Sequence, residues 1–338
     1  MKRKLKNFLR TAKKRRRLKA SVGTDMLSFQ ETIEQALIKK LGIRGAVRSD
    51  YHDLGGLNNL GMFVHRFEAK GEPFAITKVQ SSASADREYR FQKWQERYVD
   101  NQLAASAFAM APLQDENYSW ISSEILSQAT TLSDGGVWHL FSRLDVSSEK
   151  LAELSPDRCA KSLICQLEGD TKIKAVLRNL VSQLETASAK MFAMQFLKER
   201  EYMLSMGLYG QTSNLFLRFF ERVKEQDISS LNGLVHGDFK PQNIMVDSAD
   251  NFKVIDLQYY TYGVRIWDLA FYYSKDDRGF AEIYPKLMQN FSWTDTERGV
   301  FAFFYYVASA LHLKAKKVPK IGPLKLEPAM IALSASLK

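Results

Sequence analysis

The feature that most constrains this chain is a turn flanked by two short apolar runs. Ile244–Val246 and Phe252–Ile255 are apolar, and the residues that join them, Asp247–Asn251, are typical of a turn. The pattern therefore predicts a β-hairpin. Because a hairpin folds its two ends together, we expect Asn243, just before the first strand, to lie beside Asp256, just after the second.

The residues around this hairpin carry groups suited to phosphate chemistry. Mg²⁺ prefers hard oxygen ligands such as the amide of Asn243 and the carboxylate of Asp256, and phosphate oxygens would complete its coordination. The carboxylate of Asp238 could orient a hydroxyl group and accept its proton during phosphoryl transfer. Lys240 adds a cation suited to a γ-phosphate oxygen. The alternative, an ordinary turn and a helix-capping Asp256, would leave three coincident spacings unexplained.

These residues resemble a known catalytic signature. The segments His236-Gly-Asp-Phe-Lys-Pro-Gln-Asn243 and Ile255-Asp-Leu-Gln258 look most like the aminoglycoside phosphotransferase, choline kinase and ecdysteroid kinase superfamily. The resemblance implies an α+β class and a two-lobed protein-kinase-like fold, with a small antiparallel-sheet N-lobe and a larger, mostly helical C-lobe. It also implies an enzyme that uses ATP and Mg²⁺ to phosphorylate a hydroxyl group of a small molecule.

Two features distinguish the signature from that of most protein kinases. Gly237 stands where most protein kinases carry an arginine that reads a phosphorylated activation loop, and Leu257-Gln258 replaces their Phe-Gly. In contrast, Lys240-Pro241 is what many serine/threonine kinases have in this loop. A protein kinase therefore stays open as a less favoured alternative, since no Ala-Pro-Glu segment follows Asp256.

The resemblance extends upstream to a predicted nucleotide site. Leu54–Val64 resembles the glycine-containing hairpin that covers the phosphates, and Asn58 and Asn59 within it are predicted nucleotide contacts. Taken alone, the segment favours a plain turn. Lys78 resembles the strand lysine that holds the α and β phosphates. Glu88, ten residues later, resembles the helix glutamate that fixes this lysine in place.

Two further segments match the superfamily with less specificity. Ser122–Ser127 resembles the hinge between the lobes, where Glu124 and Leu126 are predicted to contact adenine. Arg265–Tyr273 resembles a helix whose acid, here Asp268, braces the catalytic loop. A simple helix cap is an equally consistent interpretation of that aspartate.

The patterns along the chain predict three regions. Residues 1–24 form a basic, flexible arm, residues 25–125 form the N-lobe with the nucleotide-covering sheet and helix, and residues 126–338 form the helical C-lobe with the catalytic loop and metal site. The elements predicted within them are helices over Gln30–Leu41, Asp86–Leu103, 176–207, 211–226 and 294–315, and a strand over Ser119–Leu126.

The positive charge of the chain is concentrated in the arm. The chain has 48 Lys and Arg residues against 38 Asp and Glu, and eleven of these cations lie in the first twenty residues, which contain no acid. The rest is near neutral, so no specific nucleic-acid surface is expected. The arm is consistent with a solvated tail, an amphipathic helix on an anionic membrane, or a transit peptide. The apolar residues that give the arm a helical spacing are Leu5, Phe8, Leu9 and Ala12.

The remaining features bear on location and on the alternative functions. The only two cysteines, Cys159 and Cys165, form no disulfide framework, and no apolar run is long enough to span a bilayer. We therefore expect a cytoplasmic protein, with a peripheral position at the inner membrane face left open. The acceptor would be a sugar, an amino alcohol or a glycolipid. The alternative from another class is a catalytically silent kinase-fold scaffold that docks through its arm.

Overall fold

The protein is described here from a computed structural model, in which two compact units are recognised. The first unit combines residues up to 131 with residues 244–258, and the second combines residues 132–243 with residues 259–338. The described residues are 13–14, 16–23, 25–52, 59–99, 102–128, 132–146, 150–151, 154, 215, 218–219, 222–223, 226, 232–316 and 322–337.

The first unit is built on a five-stranded antiparallel sheet with strand order β1-β2-β3-β5-β4. The strands are β1 (Val47–His52), β2 (Asn59–Phe67), β3 (Pro73–Ser81), β4 (Ala107–Pro112) and β5 (Tyr118–Glu124). Two helices accompany the sheet, α1 (Met26–Leu41) and α2 (Ser82–Tyr98).

Helix α1 confirms the predicted helix and begins four residues earlier. Asp25 caps its N-terminus, because its carboxylate accepts hydrogen bonds from the backbone N–H groups of Leu27 and Ser28 at 2.9 and 3.0 Å. Gly42 ends the helix in the left-handed conformation, with φ at 62°. The buried residues of α1 are spaced four apart and so share the helix face that packs into the core of the unit. They are Phe29, Ile33 and Leu37.

Part of the predicted arm belongs to the core of the first unit. Residues 16–22 are helical, and Leu18 and Val22 are buried in the same cluster as Phe29 and Phe63. The prediction of a flexible arm over residues 1–24 was therefore wrong for this segment, because burial of two apolar side chains holds the helix on the unit. The apolar residues that give the predicted arm its helical spacing lie outside the described residues; they are Leu5, Phe8, Leu9 and Ala12.

The predicted hairpin forms as β8 (Ile244–Val246) and β9 (Phe252–Val254), with Ile244 opposite Val254. Asp247 closes the turn, since its carboxylate accepts the backbone N–H groups of Ala249 and Asn251 at 2.8 and 2.9 Å. The short strand β6 (Ser127–Gln128) pairs with β8. The hairpin therefore belongs to the first unit, whereas the sequence placed it with the helical region.

The second unit is mostly helical. Its two-stranded antiparallel sheet pairs β7 (Asn232–Val235) with β10 (Thr261–Val264). Its described helices are α3 (Asp134–Arg143), α4 (Ile266–Ser274), α5 (Phe280–Asn290), α6 (Asp295–Lys316) and α7 (Gly322–Ala335).

Helix α6 forms the centre of this unit and packs against α4 and α7. It confirms the helix predicted over 294–315, whereas the helices predicted over 176–207 and 211–226 fall almost entirely outside the described residues. Its buried aromatic side chains are Phe301, Phe303, Phe304, Tyr305 and Tyr306. The antiparallel sheet and the helical unit together confirm the predicted α+β class. Within the described part of the chain, no helix is both long and apolar enough to cross a membrane.

Candidate active site

The first unit holds a buried ion pair at the position predicted for a phosphate clamp. Lys78 lies on β3, opposite Met62 of β2 and Ile121 of β5, and its Nζ is 2.8 Å from Oε1 of Glu88 on α2. Burial lowers the pKa of Lys78, but the carboxylates of Glu88 and Asp256 more than offset this, and the net shift is upward. The lysine therefore remains a fixed cation in a buried position.

A third residue completes the clamp. Nε2 of Gln80 donates a hydrogen bond to Oε2 of Glu88 at 3.0 Å, so both oxygens of this carboxylate have a partner. The role of Gln80 in the clamp was not predicted from the sequence. The signal was available, because residues two apart on a strand point to the same face and Gln80 follows Lys78 by two.

The predicted metal ligand Asp256 lies two residues after the end of strand β9 and adopts an uncommon backbone conformation. Its φ of 65° is in the left-handed region, which L-amino acids other than asparagine and aspartate rarely adopt. Gln258, in the 3₁₀ turn Leu257–Tyr259, donates a hydrogen bond from Nε2 to Oδ1 of Asp256 at 3.0 Å. Neither Gln258 nor its partner Ser84, whose Oγ donates to Oε1 of Gln258 at 3.1 Å, was predicted from the sequence.

The second unit holds the predicted catalytic loop, which connects β7 to the 3₁₀ turn Pro241–Asn243. The ammonium of Lys240 pairs with Oδ2 of Asp238. Nδ2 of Asn243 donates to the backbone carbonyl of Asp238 at 2.9 Å and to its Oδ2 at 3.1 Å. These bonds identify the nitrogen end of the amide, so the carbonyl oxygen is the end available as a cation ligand. The structure thus brings three predicted residues together.

Asp268 holds the backbone of this loop through two hydrogen bonds. Its carboxylate oxygens accept the backbone N–H groups of His236 at 2.6 Å and Gly237 at 3.0 Å. Gly237 has a φ of 83°, a conformation that favours glycine. Burial raises the pKa of Asp268 to about 7, and the two backbone hydrogen bonds oppose this shift. The helix-cap interpretation is wrong, because α4 begins after Arg265 without a side-chain cap.

The remaining predicted nucleotide contacts are placed as follows. Glu124 ends β5, and its Oε1 accepts hydrogen bonds from the Ser106 backbone N–H at 3.0 Å and from Lys253 Nζ at 2.8 Å. Leu126 is buried, and Asn59 begins β2 opposite Gln80. Asn58 lies outside the described residues. The predicted contact of Glu124 and Leu126 with adenine stays a prediction.

The donor chemistry fits ATP and Mg²⁺. Lys78 supplies a buried cation for phosphate oxygens, and Asp256 and Asn243 supply the oxygen ligands that Mg²⁺ prefers. Among the described residues, no three His, Cys, Asp or Glu side chains group together to hold a metal ion. Because Asn243 belongs to the second unit and Asp256 to the first, their sharing of one ion stays a prediction.

Comparison with solved structures found several matches, all of low sequence identity. A thermostable mutant of aminoglycoside phosphotransferase APH(4)-Ia is 13% identical, with 90% of this chain and 98% of that chain covered and a TM-score of 0.46. A choline/ethanolamine kinase family protein from Mesorhizobium loti is 12% identical, with coverages of 90% and 97% and a TM-score of 0.46. Choline kinase LicA from Streptococcus pneumoniae is 14% identical, with coverages of 91% and 99% and a TM-score of 0.42.

Comparison at the sequence level found one family. No curated protein matched the chain. A model of the phosphotransferase enzyme family (APH) matches residues 188–299, which include the catalytic loop, the hairpin and Asp268. The resemblance seen in the sequence is thus confirmed over this segment: residues 188–299 are similar to phosphotransferase enzymes.

Proposed function

We propose that this protein is a phosphotransferase that moves the γ-phosphate of ATP to a hydroxyl group of a small molecule. The observation that carries the proposal is the catalytic loop, in which the Asp238 carboxylate has a fixed amide and a lysine beside it. The backbone of this loop is held by the buried carboxylate of Asp268. The family match over residues 188–299 supports the same reaction class.

The proposed roles follow from the chemistry of each group. Asp238 would orient the acceptor hydroxyl and take its proton as the oxygen bonds to the γ-phosphorus and the bond to ADP breaks. Lys78, fixed by Glu88, would hold the α and β phosphates. Asn243 and Asp256 would bind Mg²⁺, which supplies charge neutralisation for the phosphates when bound.

Lys240 would exchange partners during the reaction. In the structure its ammonium pairs with Asp238, and both side chains are partly exposed. A γ-phosphate carries more negative charge than one carboxylate, so its arrival would draw the ammonium away from Asp238. That exchange would leave the carboxylate ready to accept the hydroxyl proton.

The acceptor and the location are the finer parts of the proposal. We propose a sugar or an amino alcohol as acceptor and the cytoplasm as location. A glycolipid acceptor and a membrane contact through residues 1–20 stay predictions. The helix over residues 16–22 uses Leu18 and Val22 in the core of the first unit, so these two side chains are not part of an apolar face for lipid.

The experiment that tests the proposal separates binding from transfer. The melting temperature of the full chain is measured with ATP and Mg²⁺, since a ligand that binds only the folded state raises it. Transfer from γ-labelled ATP is then followed with a panel of sugars and amino alcohols, for the wild type and Asp238→Asn. We expect both proteins to bind ATP and only the wild type to transfer phosphate, with a loss of about 10²- to 10⁴-fold in the variant.

Two other outcomes would identify the alternatives. A wild type that binds ATP but transfers no phosphate to any acceptor or protein would favour the catalytically silent scaffold. Phosphate on an added protein substrate, and on none of the small molecules, would favour a protein kinase. A wild type that binds no nucleotide would contradict the proposed function altogether.

A further inference from the structure

The side chain of Gln258 connects two parts of the nucleotide site within the first unit. Its Nε2 donates to Oδ1 of Asp256 at 3.0 Å, and its Oε1 accepts a hydrogen bond from Oγ of Ser84 at 3.1 Å. Both ends of the amide are therefore used, which fixes the orientation of the side chain. The amide of Gln258 is itself neutral, so it adds no charge beside the Asp256 carboxylate.

The connection continues to the strand that carries Lys78. Oγ of Ser81 donates to Oγ of Ser84 at 2.8 Å and also accepts the Ser84 backbone N–H at 3.4 Å. Ser81 is the last residue of β3 and the N-cap of α2. A continuous series of hydrogen bonds thus runs from the end of the lysine strand to Asp256.

Ser84 also lies on the helix face that carries the clamp. Residues four apart on a helix share a face, and Glu88 follows Ser84 by four. Glu88 in turn pairs with Lys78 at 2.8 Å, and the Asp256 carboxylate acts electrostatically on the same lysine. Gln258 therefore joins the helix of the clamp to the predicted metal ligand.

The backbone conformation of Asp256 is the second feature that bears on the role of Gln258. A φ of 65° is uncommon among L-amino acids, although aspartate adopts it more readily than most, and such a conformation persists where its surroundings hold it. Strained residues of this kind are concentrated at functional sites. The hydrogen bond from Gln258, two residues later in the chain, fixes the carboxylate that this conformation presents.

We infer that Gln258 is a positioning residue that holds Asp256 and helix α2 in one arrangement, so that Mg²⁺ and the phosphates of ATP bind cooperatively. The inference rests on the proposed function. Its support is the pair of hydrogen bonds from one amide to Asp256 and to Ser84. Gln258 acts through these two residues and needs no contact of its own with the substrate.

The test measures binding of ATP to the full chain by calorimetry, once with Mg²⁺ and once with EDTA. The dissociation constant in EDTA divided by the dissociation constant in Mg²⁺ gives a ratio that reports how strongly the metal assists binding of the nucleotide. We expect Gln258→Leu, which keeps the volume but removes both hydrogen bonds, to lower this ratio about tenfold, the effect of one lost hydrogen bond to a charged group. Gln258→Glu should lower it at least as much, because a carboxylate cannot donate to Asp256 and repels it.

Variants of Ser84 test the second half of the connection. Ser84→Ala should lower the ratio about threefold, whereas Ser84→Thr, which keeps the hydroxyl group, should restore the wild-type value. The double variant Ser84→Ala/Gln258→Leu should be no worse than Gln258→Leu alone, because both remove the same connection. Gln92→Leu is the matched control, since Gln92 is a buried glutamine on the same helix. We expect Gln92→Leu to leave the ratio unchanged.

The outcomes separate this inference from the proposed function. A wild type whose ATP binding is absent, or is the same with Mg²⁺ and EDTA, would overturn the proposed function and the inference with it. A wild type with a clear Mg²⁺ effect that Gln258→Leu and Gln258→Glu leave intact would overturn the inference alone. An equal loss in Gln92→Leu would also overturn it, because the effect would then be one of general stability.

Discussion

Each of the two units holds a lysine–carboxylate pair, and the two pairs differ in burial. In the first unit the side chains of Lys78 and Glu88 are 11% and 3% exposed. In the second unit those of Lys240 and Asp238 are 26% and 18% exposed. In both pairs an amide also donates to the carboxylate, from Gln80 in the first and from Asn243 in the second.

The difference in burial indicates which ion pair is rigid and which can dissociate. Opening a buried pair leaves an unpaired charge away from water, which is strongly unfavourable. An exposed pair is worth little, because water replaces the lost partner. The Lys78–Glu88 pair is therefore a rigid part of the first unit, whereas the partly exposed Lys240–Asp238 pair dissociates at a lower cost.

The largest expected effect comes from breaking the buried pair. Lys78→Met keeps the length of the side chain and leaves the Glu88 carboxylate without its cation. We expect the free energy of unfolding to fall by about 4 kcal/mol, the loss typical of removing one partner of a buried ion pair. Chemical denaturation of the full chain measures this loss.

A matched control lies on the same helix. Lys93 pairs with Glu96 at 2.9 Å on the exposed side of α2, and both side chains are about one-third exposed. The Lys93 ammonium also donates a hydrogen bond to the backbone carbonyl of Ala107 at 2.8 Å, so Lys93→Met should cost about 1 to 2 kcal/mol, still well below the loss expected for Lys78→Met. Equal losses in Lys78→Met and Lys93→Met would remove the basis for treating the clamp as a buried, rigid pair.

The next effect tests how far the rigid part of the first unit extends along the chain. Leu18 is fully buried in the core cluster although it lies among basic residues. Leu18→Ala should lower the free energy of unfolding by about 3 kcal/mol, because the truncation leaves a cavity. Arg17→Ala, at the exposed neighbour, is the control and should cost less than about 0.5 kcal/mol. If Leu18→Ala costs no more than this control, the helix over residues 16–22 is not part of the core.

A third prediction concerns the effect of burial on the pKa of a titratable side chain in the five-stranded sheet of the first unit. His65 is fully buried, and its two ring nitrogens are each 2.7 Å from a hydroxyl oxygen, of Ser49 and of Thr77. Burial lowers the pKa of His65 to about 4. Between pH 6.5 and pH 4 the unfolded chain therefore binds a proton that the folded chain excludes. Stability should fall across this range by up to about 3 kcal/mol as the pH is lowered.

The pH dependence of urea denaturation measures this contribution. His65→Gln removes the titrating ring, so the part of the slope between pH 6.5 and pH 4 that His65 provides should disappear. His139→Gln, at an exposed position on α3, should keep the wild-type slope. Parallel slopes in the wild type and His65→Gln would contradict the prediction.

Much of the fold could be predicted because its signals are local. The hairpin was identified from the turn residues around Asp247, whose carboxylate closes the turn by accepting backbone N–H groups of the same turn. Helix α1 was identified from periodicity, although its cap at Asp25 was missed. The burial of Leu18 was not predictable, because the surrounding cations indicate an exposed arm and only the tertiary core reveals its partner. The pairing of β6 was missed because a strand of two residues has no pattern.

The same distinction applies to the candidate site. Asp238 and Asn243 could be assigned to one candidate site because their spacing is short and one loop holds both. The bond between Ser84 and Gln258 joins residues 174 positions apart, and no periodicity connects them. The sequence marked Gln258 as a departure from the protein-kinase pattern, but its role required the coordinates. Residues that act on a neighbour through space are thus the ones that sequence reasoning misses.

The smallest expected effect on stability comes from the partly exposed Lys240–Asp238 pair. Lys240→Met removes the partner of Asp238 in the second unit, where water and the Asn243 amide remain to solvate the carboxylate. We expect the free energy of unfolding to change by less than about 1 kcal/mol. If Lys240 binds the γ-phosphate during transfer, kcat should nevertheless fall about tenfold, which corresponds to about 1.4 kcal/mol of transition-state stabilisation. Lys240→Arg, which keeps the charge, should recover part of this loss. A loss of stability as large as that of Lys78→Met would show that the two pairs are equivalent, and an unchanged kcat would show that Lys240 does not act on the phosphate.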